Sequence, residues 1–294
     1  MSFKSGFVAL IGKPNVGKST LLNTILAKKI AIATPKPQTT RDNIRGILTT
    51  KDTQIVFIDT PGIHKPKSKL NKVMVQSAYI AAKEADIILF LIDATKGYAK
   101  SDQIIAENIR HIEKPKLLII NKIDKLTTRE LIEFLKDINT DEYDEIIPLS
   151  ALRNKNIDEL INTVKSYLHD EIQYYPTDMI SDYPEQFMIT EIIREKVLIN
   201  TSQEVPHSIA VVIEKMESKK DLTIINAKIV CERASQKKII VGKQGSMIKK
   251  IGSFAREELE IRLQTRVFLE LFVAVEENWR NKDHQLKQFG YGDK

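Results

Sequence analysis

The sequence predicts an α/β fold with a mostly parallel, doubly wound sheet, followed by a smaller α+β domain. Three observations lead to this prediction. Short apolar runs alternate with helical stretches over roughly the first 165 residues, the first run leads through a glycine-containing loop into a helix, and the texture of the sequence changes after residue 170. Each of these features is taken in turn below, in the order in which it occurs along the chain.

The apolar runs are nearly continuous, as expected for strands that are buried on both faces of a parallel sheet. They cover residues 7–11, 55–58, 87–92, 116–120 and 145–148. Helical stretches are predicted at residues 69–84, 102–112 and 129–138. In a sheet of this kind, ligands bind at the carboxyl ends of the strands.

The boundaries that we predict are a first domain over 1–170, a linker over 171–185, a second domain over 186–280 and a polar tail over 281–294. Two prolines and several turn formers indicate the linker. The alternative is an ordered connection that packs on one domain. The second domain has the predicted order helix-strand-strand-helix-helix-strand.

The composition narrows the class of protein. The chain has 294 residues, a net charge of +6 and a single cysteine, Cys231, so an intrachain disulfide is excluded and a reducing compartment is expected. The positive charge permits an anionic partner. The start lacks the apolar segment of a signal peptide, and the histidines and the cysteine show no zinc-binding spacing. We therefore expect a cytoplasmic protein, and separately we expect it to be a monomer.

The loop after the first strand fits the phosphate-binding pattern G-x-x-x-x-G-K-[ST] in the strand-loop-helix context that this pattern requires. The glycines allow the backbone N–H groups to point at an anion, Lys18 would reach the β- and γ-phosphates, and the Ser19 hydroxyl would bind Mg²⁺. A chance match is the alternative, made rare by the flanking elements. The predicted nucleotide contacts here are Gly12, Lys13, Pro14, Asn15, Val16, Gly17, Lys18, Ser19 and Thr20.

The second motif, Asp59-Thr60-Pro61-Gly62, follows the 55–58 run. Asp59 can hold Mg²⁺ through water, and Gly62 can offer its N–H to a γ-phosphate because no side chain stands in the way. The next residue is Ile63, where several nucleoside triphosphatases have a glutamine that orients the attacking water. An isoleucine cannot do this, so we predict slow intrinsic hydrolysis that is stimulated by a partner or by assembly of the site from elsewhere.

The third motif, Asn121-Lys122-Ile123-Asp124, and the fourth, Ser150-Ala151-Leu152, predict which base is bound. The Asp124 carboxylate can accept both N1–H and N2–H₂ of guanine, whereas adenine would leave it unpaired. Asn121 would tie the loops to the base, and the Lys122 stem could lie over the base plane. In the stretch that begins with Ser150 and Ala151, a backbone N–H could donate to guanine O6. An ordinary polar loop is the alternative for each motif in isolation.

A basic stretch in the second domain predicts nucleic-acid binding. Residues 233–256 contain seven Lys or Arg and no Asp or Glu, with Gly242-Lys243-Gln244-Gly245 in the middle. A G-x-x-G turn between two helices is the KH device for clamping about four nucleotides. A solvated basic helix face is the alternative. The predicted RNA contacts are Arg233, Lys237, Lys238, Gly242, Lys243, Gln244, Gly245, Lys249 and Lys250.

Taken together, these motifs resemble the Era family of bacterial GTPases over essentially the whole chain. The resemblance implies a P-loop GTPase domain with a type II KH domain, binding of GTP, GDP and the 3′ region of 16S ribosomal RNA, and action in maturation of the small (30S) ribosomal subunit. It also implies peripheral association with the cytoplasmic face of the cell membrane. Rival interpretations are an ATPase or kinase with a basic tail, and a GTPase of membrane or tRNA-related processes with no direct ribosomal role.

The resemblance also assigns residue roles. Gln38-Thr39-Thr40-Arg41-Asp42 resembles the switch I segment, so that Thr40 would join Ser19 and Asp59 at Mg²⁺, with Thr39 as the competing choice. Lys18, Thr40 and Gly62 then form the catalytic set. Asn15 matches a position linked to potassium in related GTPases, and a K⁺ ion there could supply positive charge during hydrolysis.

Overall fold

The structure is a computed structural model that describes residues 3–36, 38–202 and 205–291. Residues 1–2 of the predicted first domain, Pro37 beside the predicted switch I and residues 292–294 of the predicted tail lie outside the described residues. The chain forms two compact units. The first contains most residues up to Asp182, and the second contains Tyr183 onwards together with the short segments Thr34–Thr39 and Lys67–Val73.

A six-stranded sheet with the order β2-β3-β1-β4-β5-β6 forms the centre of the first unit. Its strands are β1 (Lys4–Gly12), β2 (Ile44–Thr49), β3 (Thr53–Asp59), β4 (Ile87–Asp93), β5 (Lys116–Asn121) and β6 (Glu145–Leu149). All pairs are parallel except β2 with β3. Strands β3 and β4 are buried along their whole length, which explains their continuous apolar runs.

The helices of this unit are α1 (Lys18–Ile25), α2 (Lys69–Glu84), α3 (Lys100–Arg110), α4 (Thr128–Lys136) and α5 (Ile157–Ser166). The first residues of α2 are among those grouped with the second unit. The parallel doubly wound architecture is confirmed. The sequence analysis did not predict β2. This edge strand contains Gly46, where a Cβ would lie 2.5 Å from the Leu26 side chain.

The predicted linker corresponds to its alternative, an ordered connection, up to residue 182. The Gln54 side chain bonds to both the N–H and the carbonyl of Tyr175, at 2.9 Å each. Further along, the N–H of Ile47 on β2 donates to the carbonyl of Ile180 at 2.8 Å. These bonds satisfy backbone groups that a free linker would leave to water.

The second unit contains the helices α6 (Glu185–Asn200), α7 (Ala234–Val241), α8 (Ser246–Leu263) and α9 (Asp283–Gln288). Its three-stranded sheet has the order β7-β8-β9, formed by β7 (Ala210–Lys219), β8 (Leu222–Cys231) and β9 (Arg266–Val275). The β7–β8 pair is antiparallel and β8–β9 is parallel. The predicted α+β element order is confirmed.

Within the predicted polar tail over 281–294, the described residues include α9 and end at Tyr291. The fully buried Trp279 donates to the Ser208 carbonyl at 2.9 Å and packs against the rings of Phe289 and Tyr291. Leu286 of α9 is also buried. This aromatic cluster anchors the segment. Among the described residues, no helix combines the length and apolar character needed to cross a membrane.

Candidate nucleotide site and nucleic-acid interface

The phosphate loop connects the carboxyl end of β1 to the start of α1. Gly17 has φ 107°, and a Cβ there would lie 2.2 Å from Nδ2 of Asn121, so only glycine fits. The Lys18 ammonium donates to the carbonyls of Gly12 and Lys13 at 3.1 and 3.0 Å. Burial lowers the pKa of Lys18 to about 8, although the nearby Asp59 carboxylate acts in the opposite direction. The Lys18 ammonium therefore lies inside the predicted anion site, bonded to carbonyls of the loop itself.

Three side-chain oxygens meet beside the loop. Ser19 Oγ donates to Asp59 Oδ2 at 2.6 Å and lies 2.9 Å from Thr40 Oγ1, which itself lies 3.4 Å from Asp59 Oδ2. The hydroxyl of Thr39 points elsewhere and bonds to Thr34 and to the Lys36 carbonyl. Geometry therefore places Thr40, and not Thr39, beside the other two oxygens.

These oxygens fit a magnesium ion. Asp59 is fully buried, yet its Oδ1 has no hydrogen-bond partner among the described residues, which a buried carboxylate tolerates only at a cost. Burial raises the pKa of Asp59 to about 6, against the effects of Lys18, Ser19 and Thr40. An all-oxygen set of one carboxylate and two hydroxyls suits a hard cation that keeps several waters. Among the described residues, no group of three His, Cys, Asp or Glu side chains forms a separate metal site.

The D-T-P-G motif is pressed against the phosphate loop. A Cβ on Gly62 would lie 2.6 Å from the Cα and N of Pro14, so a side chain would push the loops apart. The Thr60 hydroxyl donates to the Leu10 carbonyl at 2.7 Å, and Pro61 follows it into the turn. Ile63 is buried in the hydrophobic core, with its N–H donating to the Gly12 carbonyl at 3.0 Å. Its side chain therefore faces away from any attacking water.

Asn121 connects three loops. Its amide donates to the Val16 carbonyl at 2.8 Å and accepts from the N–H groups of Lys122 and Ala151 at 2.8 and 3.0 Å. The predicted tie between the loops is therefore present. The Lys122 ammonium bonds to the carbonyl of Asn15 at 2.7 Å, so the stem of Lys122 bridges toward the phosphate loop.

The Asp124 side chain is exposed and accepts from Ser150 Oγ at 2.6 Å. The N–H of Ser150 donates to Lys155, and that of Ala151 to Asn121, at 3.1 and 3.0 Å. These two N–H groups thus have protein acceptors in this structure. The role that the geometry gives to Ser150 is to orient the Asp124 carboxylate through its hydroxyl.

Two acidic residues at this site were missed in the sequence. Asp93 ends β4 and binds the Lys122 ammonium at 2.6 Å. Its position directly after a buried strand, like that of Asp59, is the signal that could have identified it. Asp102 on α3 is buried and holds Lys13 at 2.5 Å. Nothing in the local sequence marks Asp102, because only the fold brings α3 to the loop.

The remaining predicted loop residues differ in exposure. Val16 is buried, Thr20 is half-buried in the first turn of α1, and Asn15 is exposed with φ 64°. The ion pair turns Lys13 toward α3. Its predicted nucleotide contact is therefore limited to its backbone.

The G-x-x-G turn of the second unit joins α7 to α8, and three of its four residues have a positive φ. Gly242, Gln244 and Gly245 have φ values of 75°, 50° and 78°. A Cβ on Gly242 would lie 2.7 Å from Met247, whereas a Cβ on Gly245 would meet nothing within 4 Å. Gly245 therefore leaves open space in front of the turn.

A groove of about 350 Å³ runs between α8 and β9. It is lined by Ile248, Lys249, Gly252, Ser253, Arg256, Leu269, Glu270 and Leu271. Of these, only Lys249 belongs to the RNA contacts predicted from sequence.

The predicted basic contacts are all exposed, namely Arg233, Lys237, Lys238, Lys243, Lys249 and Lys250. Lys250 does not line the groove, and its ammonium lies 5.8 Å from the ring centre of Phe254. An apolar floor with a cationic rim is the surface expected for single-stranded nucleic acid.

Comparison with known proteins agrees with this geometry. The family described as 50S ribosome-binding GTPase matches residues 7–122, and the KH domain family matches residues 204–280. A crystal structure of Era in complex with MgGDPNP and nucleotides 1506–1542 of 16S ribosomal RNA is 42% identical, with a TM-score of 0.96. The match covers 99% of this chain and 100% of that one. A point variant of Era from Aquifex aeolicus bound to GDP·AlF4⁻ is also 42% identical, with a TM-score of 0.95 and the same coverage.

Proposed function

Because this chain belongs to the Era family of GTPases, we propose that it is a GTP-driven switch that binds the 3′ region of 16S ribosomal RNA through its KH unit. We further propose that it acts in maturation of the small ribosomal subunit. The observation that carries the proposal is the match, over the whole chain, to a structure in complex with a GTP analogue and this RNA.

The residues of the nucleotide site have separate tasks in this proposal. Lys18 contacts the β- and γ-phosphates and stabilises charge that develops on transfer. Ser19, Thr40 and Asp59 hold Mg²⁺, and the Gly62 N–H reports the γ-phosphate. The bound ion neutralises phosphate charge. Asp124, oriented by Ser150, selects guanine.

Slow intrinsic hydrolysis follows from Ile63. The buried position of this side chain leaves no glutamine-like group to orient water. Stimulation must therefore come from a partner, and the bound RNA or ribosomal subunit is the partner that we propose.

The test of RNA binding uses Gly245→Asp with Gly245→Asn as the matched control. Both variants impose the same backbone strain at φ 78°, but only aspartate adds a charge against the RNA backbone. We expect Gly245→Asp to weaken binding of a 16S 3′-end RNA at least tenfold more than Gly245→Asn, with GTP binding unchanged in both. Equal RNA affinities would refute a phosphate contact at this turn.

The proposed potassium ion at Asn15 rests on sequence resemblance. Hydrolysis measured in K⁺ and in Na⁺ buffer, for the natural chain and for Asn15→Asp, tests it directly. We expect K⁺ to accelerate the natural chain only. Equal rates in all four conditions would remove potassium from the mechanism.

Location is proposed on the same basis: a cytoplasmic monomer that associates peripherally with the inner face of the cell membrane. Sedimentation with anionic and with neutral vesicles separates electrostatic membrane binding from none. Recovery in the supernatant with both kinds of vesicle would contradict the membrane association.

A further inference from the structure

Arg194 on α6 is a fully buried arginine outside every nucleotide-binding motif. Its Nε and Nη2 atoms donate to the two carboxylate oxygens of Glu191, one turn earlier, at 2.7 and 2.6 Å. Nη2 also donates to the backbone carbonyl of Thr39. A buried guanidinium is tolerated only when its charge is neutralised and its N–H groups are bonded, and the Glu191 carboxylate supplies that neutralising charge.

Thr39 belongs to the segment Thr34–Thr39, which groups with α6 in the second unit. The Thr39 hydroxyl donates to the Lys36 carbonyl at 2.6 Å and lies 2.7 Å from Thr34 Oγ1. The Arg194 bond holds the Thr39 carbonyl, the last one of this segment. The next residue in the chain is Thr40, whose hydroxyl lies beside Ser19 and Asp59.

We propose that Arg194 is a positioning residue that, through the Thr39 carbonyl, holds Thr40 where its hydroxyl can bind the magnesium of a nucleoside triphosphate. The inference deepens the proposed function and rests on it. Thr40 then serves the triphosphate state, while Ser19, Lys18 and Asp124 serve both nucleotide states. Losing the Arg194 bond therefore lowers affinity for the triphosphate and spares the diphosphate.

The coupling through the bond between Arg194 and the Thr39 carbonyl is reciprocal. If Arg194 favours the arrangement that the triphosphate binds, then the bound triphosphate must favour the Arg194 arrangement by the same free energy. Helix α6 packs on α8, which carries part of the RNA groove. Arg194 thus links α6 to the γ-phosphate through Thr39 and Thr40.

The experiment uses the full chain with Arg194→Lys. Lysine keeps a positive charge for Glu191, but one ammonium cannot reproduce the bidentate bond and the carbonyl bond together. We expect the Kd for Mg²⁺ and a non-hydrolysable GTP analogue to rise about fivefold or more, with the Kd for GDP within about twofold. A merely structural role would change both constants together.

Glu258→Gln is the matched control. It removes a carboxylate that pairs with Lys196, two residues along α6 from Arg194. We expect it to leave the ratio of the two constants unchanged. Equal losses for both nucleotides in Arg194→Lys, or no loss for the triphosphate, would overturn the proposal.

A measurement on the natural chain covers the case in which Arg194→Lys fails to fold. Hydrogen exchange of the amides of α6 should slow when the Mg²⁺–GTP analogue replaces GDP, and unchanged exchange would overturn the proposal. Neither experiment contains RNA. Failure of rRNA binding would therefore refute the proposed function while leaving the nucleotide ratio to decide the role of Arg194.

Discussion

The nucleotide site of the first unit and the groove of the second differ in how far their geometry is fixed before a ligand binds. In the nucleotide site, Asn121 alone joins three loops, and Lys18 and Asp59 are buried with mutual electrostatic effects. In the groove, Lys249 and Arg256 are exposed on one helix face. A compact charged ligand rewards a rigid cradle, whereas a flexible strand is bound by an open cationic surface.

The most direct test of whether the nucleotide site acts by fixed geometry uses the phosphate loop. Lys18→Ala removes a buried cation that has no substitute, and we expect GTP affinity to fall about 100-fold or more. Lys13→Ala in the same loop removes a cation that Asp102 holds away from the site, and we expect less than about a tenfold loss. Fluorescent nucleotide titration measures both. Similar losses would mean that the loop acts by net charge and not by fixed geometry.

A second test concerns base selection. Asp124→Ala should reduce the preference for GTP over ATP about 100-fold, because the partner of two guanine donors is lost. Ser150→Ala removes the bond that orients this carboxylate, together with the acceptor of the Arg153 N–H, and should cost about 1 kcal/mol, roughly fivefold. Competition of labelled GTP by unlabelled ATP gives both ratios. A larger effect from Ser150→Ala than from Asp124→Ala would contradict the assignment of Asp124 as the base-reading group.

A third test uses pH. With a pKa of about 6, Asp59 is increasingly protonated below that pH, and a proton competes with Mg²⁺. We expect Mg²⁺-dependent nucleotide affinity to fall by up to about tenfold per pH unit below pH 6. Titration of Mg²⁺ into the nucleotide complex from about pH 7 down to about pH 5 measures this. Asp59→Asn should abolish the pH dependence along with most of the metal affinity.

The raised pKa of Asp59 affects the free energy of unfolding in the opposite direction. A lower pH weakens Mg²⁺ binding but stabilises the nucleotide-free protein. In the nucleotide-free protein, its contribution to the free energy of unfolding is greatest below the ordinary carboxyl pKa and decreases as the pH rises through about 6. Urea unfolding without nucleotide should therefore show a stability loss over this range that Asp59→Asn lacks. An unchanged slope in Asp59→Asn would assign the pH dependence to another group.

The smallest expected effects belong to the groove. Lys249→Ala should weaken RNA binding about threefold and reduce the salt slope of log K by about one, as for a single phosphate contact. Lys250→Ala, on the same helix but beside Phe254, should change neither quantity by as much. Binding to the 16S 3′-end RNA at several salt concentrations separates them. Equal slopes would show that RNA also covers the Phe254 side of α8.

The contrast also explains how much the sequence could predict. Motifs sit where a strand ends, so Lys18, Asp59 and Asn121 could be placed from local patterns alone. Asp102 could not, because its partner lies 89 positions away in the chain and only the packing of α3 reveals it. Most of the groove residues were missed for a similar reason: the apolar floor of a binding surface and the edge of a core have the same sequence pattern.

Some elements were missed as wholes and not only at their ends. Strand β2 and the connection around Tyr175 depend on each other's hydrogen bonds, which no local pattern encodes. The aromatic cluster around Trp279 lay in a stretch whose composition is mostly polar. In each case tertiary contacts decided the outcome.

The membership of Thr34–Thr39 and Lys67–Val73 in the second unit has a consequence for protein synthesis. A nascent chain contains every strand of the first sheet once β6 has been made, while α6 and Asn281, which accepts from the Lys69 N–H, are still to come. Domains fold in the order in which they leave the ribosome. We therefore expect the phosphate loop to form first, whereas Thr34–Thr39 and Lys67–Val73 can meet α6 and Asn281 only after the second unit has been translated.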